Sequence, residues 1–340
     1  MTAVLRAQQA APVSAQGLKT GAHATRLAVL TMAWSIAAAI TLWLAHRAGF
    51  GNASTALRLA GALVLAGGSV LLQYACQRYA PAGDGPEPHG LRLLMATGLG
   101  LLMLYAAEFA CVALGIPAIL LPAPSQVVQA LWAQRQLLAA DAMQTIVRAM
   151  LPGWLLGSAL AIVTAVLCDR FSFLRRGLLP LGHFIAALPI VGLAPIFVMW
   201  FGFDWPSKAA IALVVTFFPV LINTAAGLQQ AGAMERDLMH AYAASPMQTL
   251  RWLTLPAALP FIFNGLRITV PLALIGAIVA EFFGTPIVGM GFRMSVSLGQ
   301  MAMPMVWAEI VVAAVIAMAL VALLVALERR LTFWHPSLRT

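Results

Sequence analysis

The chain has 340 residues, 62% of them hydrophobic and only 9% charged, with 20 Lys and Arg against 11 Asp and Glu for a net charge of +9. Soluble domains carry roughly 25% charged residues, so this composition cannot cover a water-facing surface and excludes an ordinary soluble protein. The apolar residues fall in runs near the ~20 residues that a helix needs to cross a bilayer, and the alternating short segments of a membrane barrel are absent, so the class is all-α: a polytopic helical membrane protein.

Residues 1–26 are weakly polar, with Arg6, Lys19 and His23, and read as an N-terminal segment on the cytoplasmic side. The apolar run at 27–45 is longer than the core of a signal peptide and no cleavage site closes it, so it reads as a retained helix. With 56–76 it forms a leading pair of transmembrane helices within 27–76. Residues 77–91 (QRYAPAGDGPEPHGL) are a linker rich in Pro and Gly. Six further spans are predicted at 92–114, 146–167, 178–201, 208–228, 261–283 and 307–327, within a domain at 92–330 that is followed by a cytoplasmic tail at 331–340. That makes eight spans. Between the first two spans of the domain, residues 116–149 read as a Pro-broken turn and an interfacial helix. Pro180, Pro189, Pro195, Pro219 and Pro271 lie inside apolar runs, where they mark either interrupted helices lining a path or ordinary kinks.

With eight spans and the N-terminus inside, 14 basic residues fall in inside segments and six (Arg47, Arg58, Arg135, Arg148, Lys208 and Arg293) outside. The positive-inside bias therefore places both termini in the cytoplasm, and the basicity gives no support to nucleic-acid binding.

Polar residues at membrane depth are costly, so each is a candidate. Glu281 either lines a pathway, braces an outer gate or reaches the headgroup region. Glu108 lies deeper and is open to pairing with a neighbouring helix. Glu309 is expected to snorkel to the membrane surface. Asn223 is expected to hydrogen-bond between helices, and Arg267 either to snorkel inward or to meet Glu235 or Asp237. His183 reads as a satisfied interfacial histidine. Cys76, Cys111 and Cys168 lack ligand spacing and read as packing residues, and the Met-rich stretch 289–305 is too irregular for a metal site. No catalytic constellation, Walker A loop, metal site or cofactor site is legible.

The loop at 229–260 is the most informative segment. Its part DLMHAYAASPMQTLRWLTLPAALP (237–260) is polar and helix-favouring between long apolar runs, where a short connection would suffice to turn the chain. It points to docking of a soluble partner.

The segments LLPAPSQVV (120–128), ALPIVGLAPIFVMWFGF (187–203), SKAAIALVVTFFPVLINTAAG (207–227) and LPAALPFIFNGLRI (255–268) resemble the permease subunits of ABC importers. The branch they are most similar to handles sulfonates, taurine, nitrate and related solutes. The resemblance covers about 250 residues and leaves out the two leading helices and the linker. It implies a six-helix type I permease core with two extra N-terminal helices, in the inner membrane of a bacterium. It also implies two cytoplasmic ABC ATPase subunits, an extracytoplasmic solute-binding protein and a second permease copy as partners, with ATP hydrolysed outside this chain.

In that family the loop carries a Glu-Ala-Ala…Gly…Leu-Pro signature that folds as a short coupling helix docked on the ATPase. Here Asp237 stands for the Glu, Leu238 and Met239 for the two Ala, and Ala243, followed by Ala244, for the Gly, while Leu255 and Pro256 are kept. The resemblance assigns docking to Asp237, Ala243, Ala244, Leu255 and Pro256, with the Leu-Pro ending the coupling helix. Asn223, Glu281 and Glu108 become candidates for the translocation path. An ATPase-independent secondary transporter or channel, a membrane-embedded enzyme and an anchoring scaffold are the rival readings.

Overall fold

The computed structural model describes residues 33–49, 51–79, 89–186, 189–284 and 287–333. The segment 1–26, most of the linker at 77–91 and most of the tail at 331–340 lie outside the described residues, as do the side chains of Cys76 and His183. The described residues are helical, with no strand among them. The chain divides into two compact units, Met1–Gln126 and Val127–Thr340.

In the first unit, helices α1 (33–48), α2 (Thr55–Tyr79) and α3 (His89–Leu114) pack around Ala38, Ala45, Tyr105, Phe109 and Val112. Gly49 and Gly51, at φ +82° and +80°, make the tight turn between α1 and α2, a conformation open to Gly for want of a Cβ. The Gly51 N–H then bonds Val112 O of α3 at 2.9 Å. The tip of the Phe109 ring occupies the space beside Gly61, where a Cβ would meet Cζ at 1.9 Å. Thr41 Oγ1 and Tyr105 Oη share a hydrogen bond of 2.7 Å, and Trp34 Nε1 donates to Val64 O at 2.7 Å. Thus α3, which the sequence groups with the later helices, packs with the leading pair. After Gly115 (φ +66°) the chain turns into α4 (Pro124–Ala133).

The second unit is built on long rods. α5 runs Arg135–Arg170, α8 Trp205–Leu228, α10 Pro246–Phe282 and α12 Met303–Leu331. Shorter helices connect them: α6 (Ser172–Ala186), α7 (Ile190–Phe201), α9 (Ala233–Ala241) and α11 (Met290–Gly299). α8 packs most closely against α10 and α5. Gly153 and Gly157 face it from α5, where a Cβ would lie 2.2 Å from Ala209 O and 2.3 Å from Thr216 Oγ1. Small residues four apart let helix backbones approach in lipid, where oil–water separation does not drive the helices together. Ala212, Val270, Ala273, Ala277, Met150 and Trp154 fill one core cluster, and Ala161, Val220, Leu221, Leu228, Ala258 and Ile262 another.

Among the described residues, five helices are long and apolar enough to cross a membrane: Thr97–Leu114 within α3, α5, α8, α10 and α12. The stretches Thr55–Leu71 and Val191–Phe201 are apolar but shorter, and the predicted span at 27–45 falls partly outside the described residues. The span predicted at 178–201 is broken. Pro189, extended at φ −69° and ψ 116°, caps the start of α7. Pro180, Pro195, Pro219 and Pro271 instead lie inside helices, so one of the five marks an interruption and four do not. Two π-helical segments, Met143–Met150 in α5 and Leu250–Thr254 in α10, shift the hydrogen-bond register inside otherwise continuous rods.

Gly153→Val would place side-chain atoms against the α8 backbone, which cannot yield as a flexible side chain can. The expected loss is about 3 kcal/mol, read as a lowered thermal unfolding midpoint in detergent and reduced accumulation in the membrane.

Candidate docking loop and buried polar seam

The loop between α8 and α10 is anchored from beneath and open above. Arg236 donates through Nη2 to Leu228 O at 2.8 Å and through Nε to Ala231 O at 3.3 Å, tying α9 to the end of α8. Arg175 of α6 donates to Gln229 Oε1 at 2.7 Å. No residue of α9 is buried, and Met234, Leu238, Tyr242, Met247 and Trp252 are 56–80% exposed. A fixed scaffold thus presents several large apolar side chains outward.

α9 ends in a Schellman turn. Ala244 N–H reaches Met239 O at 3.0 Å and Ala243 N–H reaches His240 O at 2.9 Å, with Ala243 left-handed at φ +51°. That position favours Gly, which gives the family's glycine a physical reason and marks Ala243 as strained. Ser245 then opens α10 through a capping box: its hydroxyl accepts from Gln248 N, and its own N–H donates to Gln248 Oε1 at 2.7 Å.

The Leu-Pro does not end the helix, contrary to the expectation drawn from the resemblance. Leu255 N–H closes the π segment on Leu250 O, and Pro256 follows in the first turn of the α-helical continuation, where a missing N–H is tolerated. The chain reverses instead at Ala243–Ser245. Asp237 and Ala243 are exposed and Ala244 half-buried, whereas Leu255 packs inward on the cluster of Leu228 and Ala258.

At the far end of α10 lies a buried polar seam that the sequence only partly reveals. Glu281, 2% exposed, accepts from Thr145 Oγ1 at 2.8 and 3.0 Å and from Gly291 N–H at 2.7 Å. Thr145 Oγ1 accepts from Met290 N–H at 2.8 Å. Asp141, wholly buried, accepts from Gly289 N–H at 2.7 Å and from Arg293 Nε at 2.9 Å. The start of α11 is therefore held by two acids, and Gly289 (φ +147°) brings its backbone so close that a Cβ would meet Glu281 Cδ at 2.7 Å. Lys208, 1% exposed, donates to Phe203 O and Gly284 O and lies in the field of Glu281.

Glu309 does not snorkel. It is wholly buried, because α12 turns this face toward α5 and α11 rather than toward the membrane surface. Asp141, Thr145, Lys208 and Arg293 were not legible as a group, since the chain spreads them over three elements. The i, i+4 spacing of Asp141 and Thr145 is the one local hint.

The other candidates lie apart. Asn223 accepts from Asn264 Nδ2 at 3.0 Å across α8 and α10, the interhelical bond expected of it, and donates to Pro219 O at 2.9 Å. Asn264 and Glu281 are 17 positions apart on one helix, about 25 Å along its axis, so the structure does not bring Asn223 and Glu281 together. Glu108 belongs to the first unit, where its carboxylate pairs with His46 Nε2 at 2.7 Å and accepts from Ser125 N–H at 2.8 Å and Ser125 Oγ at 2.7 Å. It thus joins α1 to α3 and caps α4, whose start is also braced by Ala123 N–H on Gln126 Oε1 at 3.1 Å. Arg267 meets Glu328 of α12 at 3.3 Å rather than Glu235 or Asp237, because α10 carries it past the loop into the bundle. An open cleft of about 480 Å³ is lined by Met143, Gln144, Arg148, Asp204, Ile287 and Val288 among others. Among the described residues no group of His, Cys, Asp or Glu is arranged to hold a metal ion.

Five long apolar helices among the described residues define a helical membrane protein. The family follows from comparison: residues 153–333 match the binding-protein-dependent transport system inner membrane component family, and the chain belongs to it. It is an ABC importer permease for small solutes, an inner-membrane protein and not an enzyme. It is 35% identical over 184 residues to the formylaminopyrimidine transport permease protein ThiX of Halalkalibacterium halodurans, covering 53% of this chain and 73% of that one. The riboflavin transport system permease protein RibX of Chloroflexus aurantiacus is 30% identical over 225 residues, 66% of this chain and 83% of its own. The putative aliphatic sulfonates transport permease protein SsuC of Bacillus subtilis is 30% identical over 185 residues, 54% and 67%.

Two outcomes are expected. Ala243→Gly relieves the left-handed strain at a cost in backbone entropy, for a net gain of about 0.5–1 kcal/mol, seen as a raised thermal midpoint. Thr145→Val leaves Met290 N–H without its acceptor and Glu281 with only Gly291 N–H as a donor, for a loss of about 2–3 kcal/mol by the same measurement.

Proposed function

We propose that two copies of this chain form the translocation pathway of an importer driven by two separate cytoplasmic ATPase subunits. A solute-binding protein on the opposite face of the membrane delivers the substrate. The observation that carries this reading is the anchored α9–α10 loop, whose Met234, Leu238, Tyr242, Met247 and Trp252 lie uncovered around a rigid capped turn. ATP binding draws the two ATPases together, moves the docked loops and turns the cavity outward, and hydrolysis resets it. Both termini then face the cytoplasm, as the distribution of basic residues supports. The working domain runs from about residue 92 to 330, with the helices at 27–76 as an addition to it. The solute belongs to the small organic and inorganic molecules typified by sulfonates, taurine and nitrate, and the relatives named for a pyrimidine and for riboflavin widen that range.

Docking on the loop rather than on Leu255 follows from exposure. Purified from its own membrane in mild detergent, the chain is expected to bring down an ATPase with a Walker A motif. Leu238→Asp and Tyr242→Ala are each expected to weaken that capture at least tenfold, about 1.4 kcal/mol, while membrane insertion stays unchanged. Transport that persists with no ATPase bound would replace this reading with that of a secondary transporter or channel.

A further inference from the structure

The seam beyond α10 has one member whose bonding is incomplete. Neither carboxyl oxygen of Glu309 receives a hydrogen bond, though the residue is wholly buried. A buried acceptor left without a donor is costly, and a buried unpaired charge more so. The charged groups acting on Glu309 are Asp141 from α5, Arg293 from α11 and Glu281 from α10, and Asp141 lies within hydrogen-bonding reach of it. Lys208 of α8 acts on Glu281 in turn. Asp141 already accepts from Gly289 N–H and from Arg293, so it is placed as the ionised partner. A carboxylate has no hydrogen to give, and two of them in contact repel.

We infer that the seam is a proton site: Glu309 holds one proton and donates it in a hydrogen bond to Asp141. Charge counting agrees. Asp141, Glu281 and Glu309 set three negative charges against the two positive charges of Lys208 and Arg293, and one bound proton balances them. A proton fits better than a metal ion, because among the described residues no group of acidic side chains is disposed as metal ligands. The proton closes the junction of α5, α11 and α12 at the end of α10 farthest from the docking loop. Its loss sets Glu309 against Asp141 and loosens that junction. The inference stands on the bonding of the seam and is independent of the solute carried and of the partner at the loop.

The test is thermal unfolding of the full chain in lipid nanodiscs between about pH 5 and about pH 9. The folded state holds a proton that the unfolded state releases, so the stability of the unsubstituted protein falls as pH rises, with a midpoint drop of roughly 5 °C or more. Glu309→Gln supplies an N–H donor in place of the proton and is expected to remove that fall. Infrared difference spectra should show a protonated-carboxyl band in the unsubstituted protein that is missing from the Gln variant, a readout that a purely structural role would not move. Should Glu309→Gln fail to accumulate, Asp141→Asn serves instead, since an amide donor at 141 also removes the need for the proton and flattens the profile. Matching pH profiles for the unsubstituted protein and the variant overturn the inference, as does an unchanged infrared band. Stabilisation by Na⁺ at fixed pH that Glu309→Gln abolishes would assign the site to a metal cation and overturn it as well.

Discussion

Close approach of backbones organises the second unit. Inside a bilayer the surroundings of a helix are as apolar as its side chains, so burying Leu against Leu does little to choose a partner. α8 finds its neighbours where side chains are missing: Gly153 and Gly157 on α5 bring that backbone onto Ala209 and Thr216, and Gly265 of α10 sits against Val220 and Asn223. The Asn223–Asn264 hydrogen bond lies on that same α8–α10 interface. The rods being held this way, the loop at one end and the polar seam at the other are carried by a common frame.

The two ends of α10 illustrate opposite uses of polar groups. At the loop, hydrogen bonds are local: a Schellman turn, a capping box and the Arg236 anchor satisfy the backbone within about twenty residues of sequence. Apolar side chains are left outside, which is stable only against a partner or at a surface that tolerates them. At the seam, bonds link residues more than a hundred positions apart, as between Thr145 and Glu281 or Asp141 and Arg293. Low polarity around such groups strengthens each bond that is made and raises the cost of any that is missing. One rod thus joins an exposed apolar surface to a buried polar junction.

The first unit follows the same logic by another route. Glu108 serves α1 through His46 and α4 through Ser125, so the extra N-terminal helix is tied to a residue that also caps the PAPSQ turn. The leading helices are therefore bonded into the unit that contains them rather than resting on it through apolar contact alone.

Much of the design is local enough to be read from the chain. Composition determines a helical membrane protein, run lengths locate the rods, and the polar helix-favouring loop stands out between long apolar runs. The break before α7 and the continuity of the other proline-containing helices were decided in three dimensions, because a proline ends a helix only where its neighbours fail to support the freed carbonyl. The same holds for Arg267, drawn to Glu328 rather than to the nearer acids of the loop, and for Glu309, which looks like a surface residue in its own helix. Sequence determines what each helix can bury. Which acid faces which base depends on how the rods are rotated against one another, and only the tertiary structure decides that rotation.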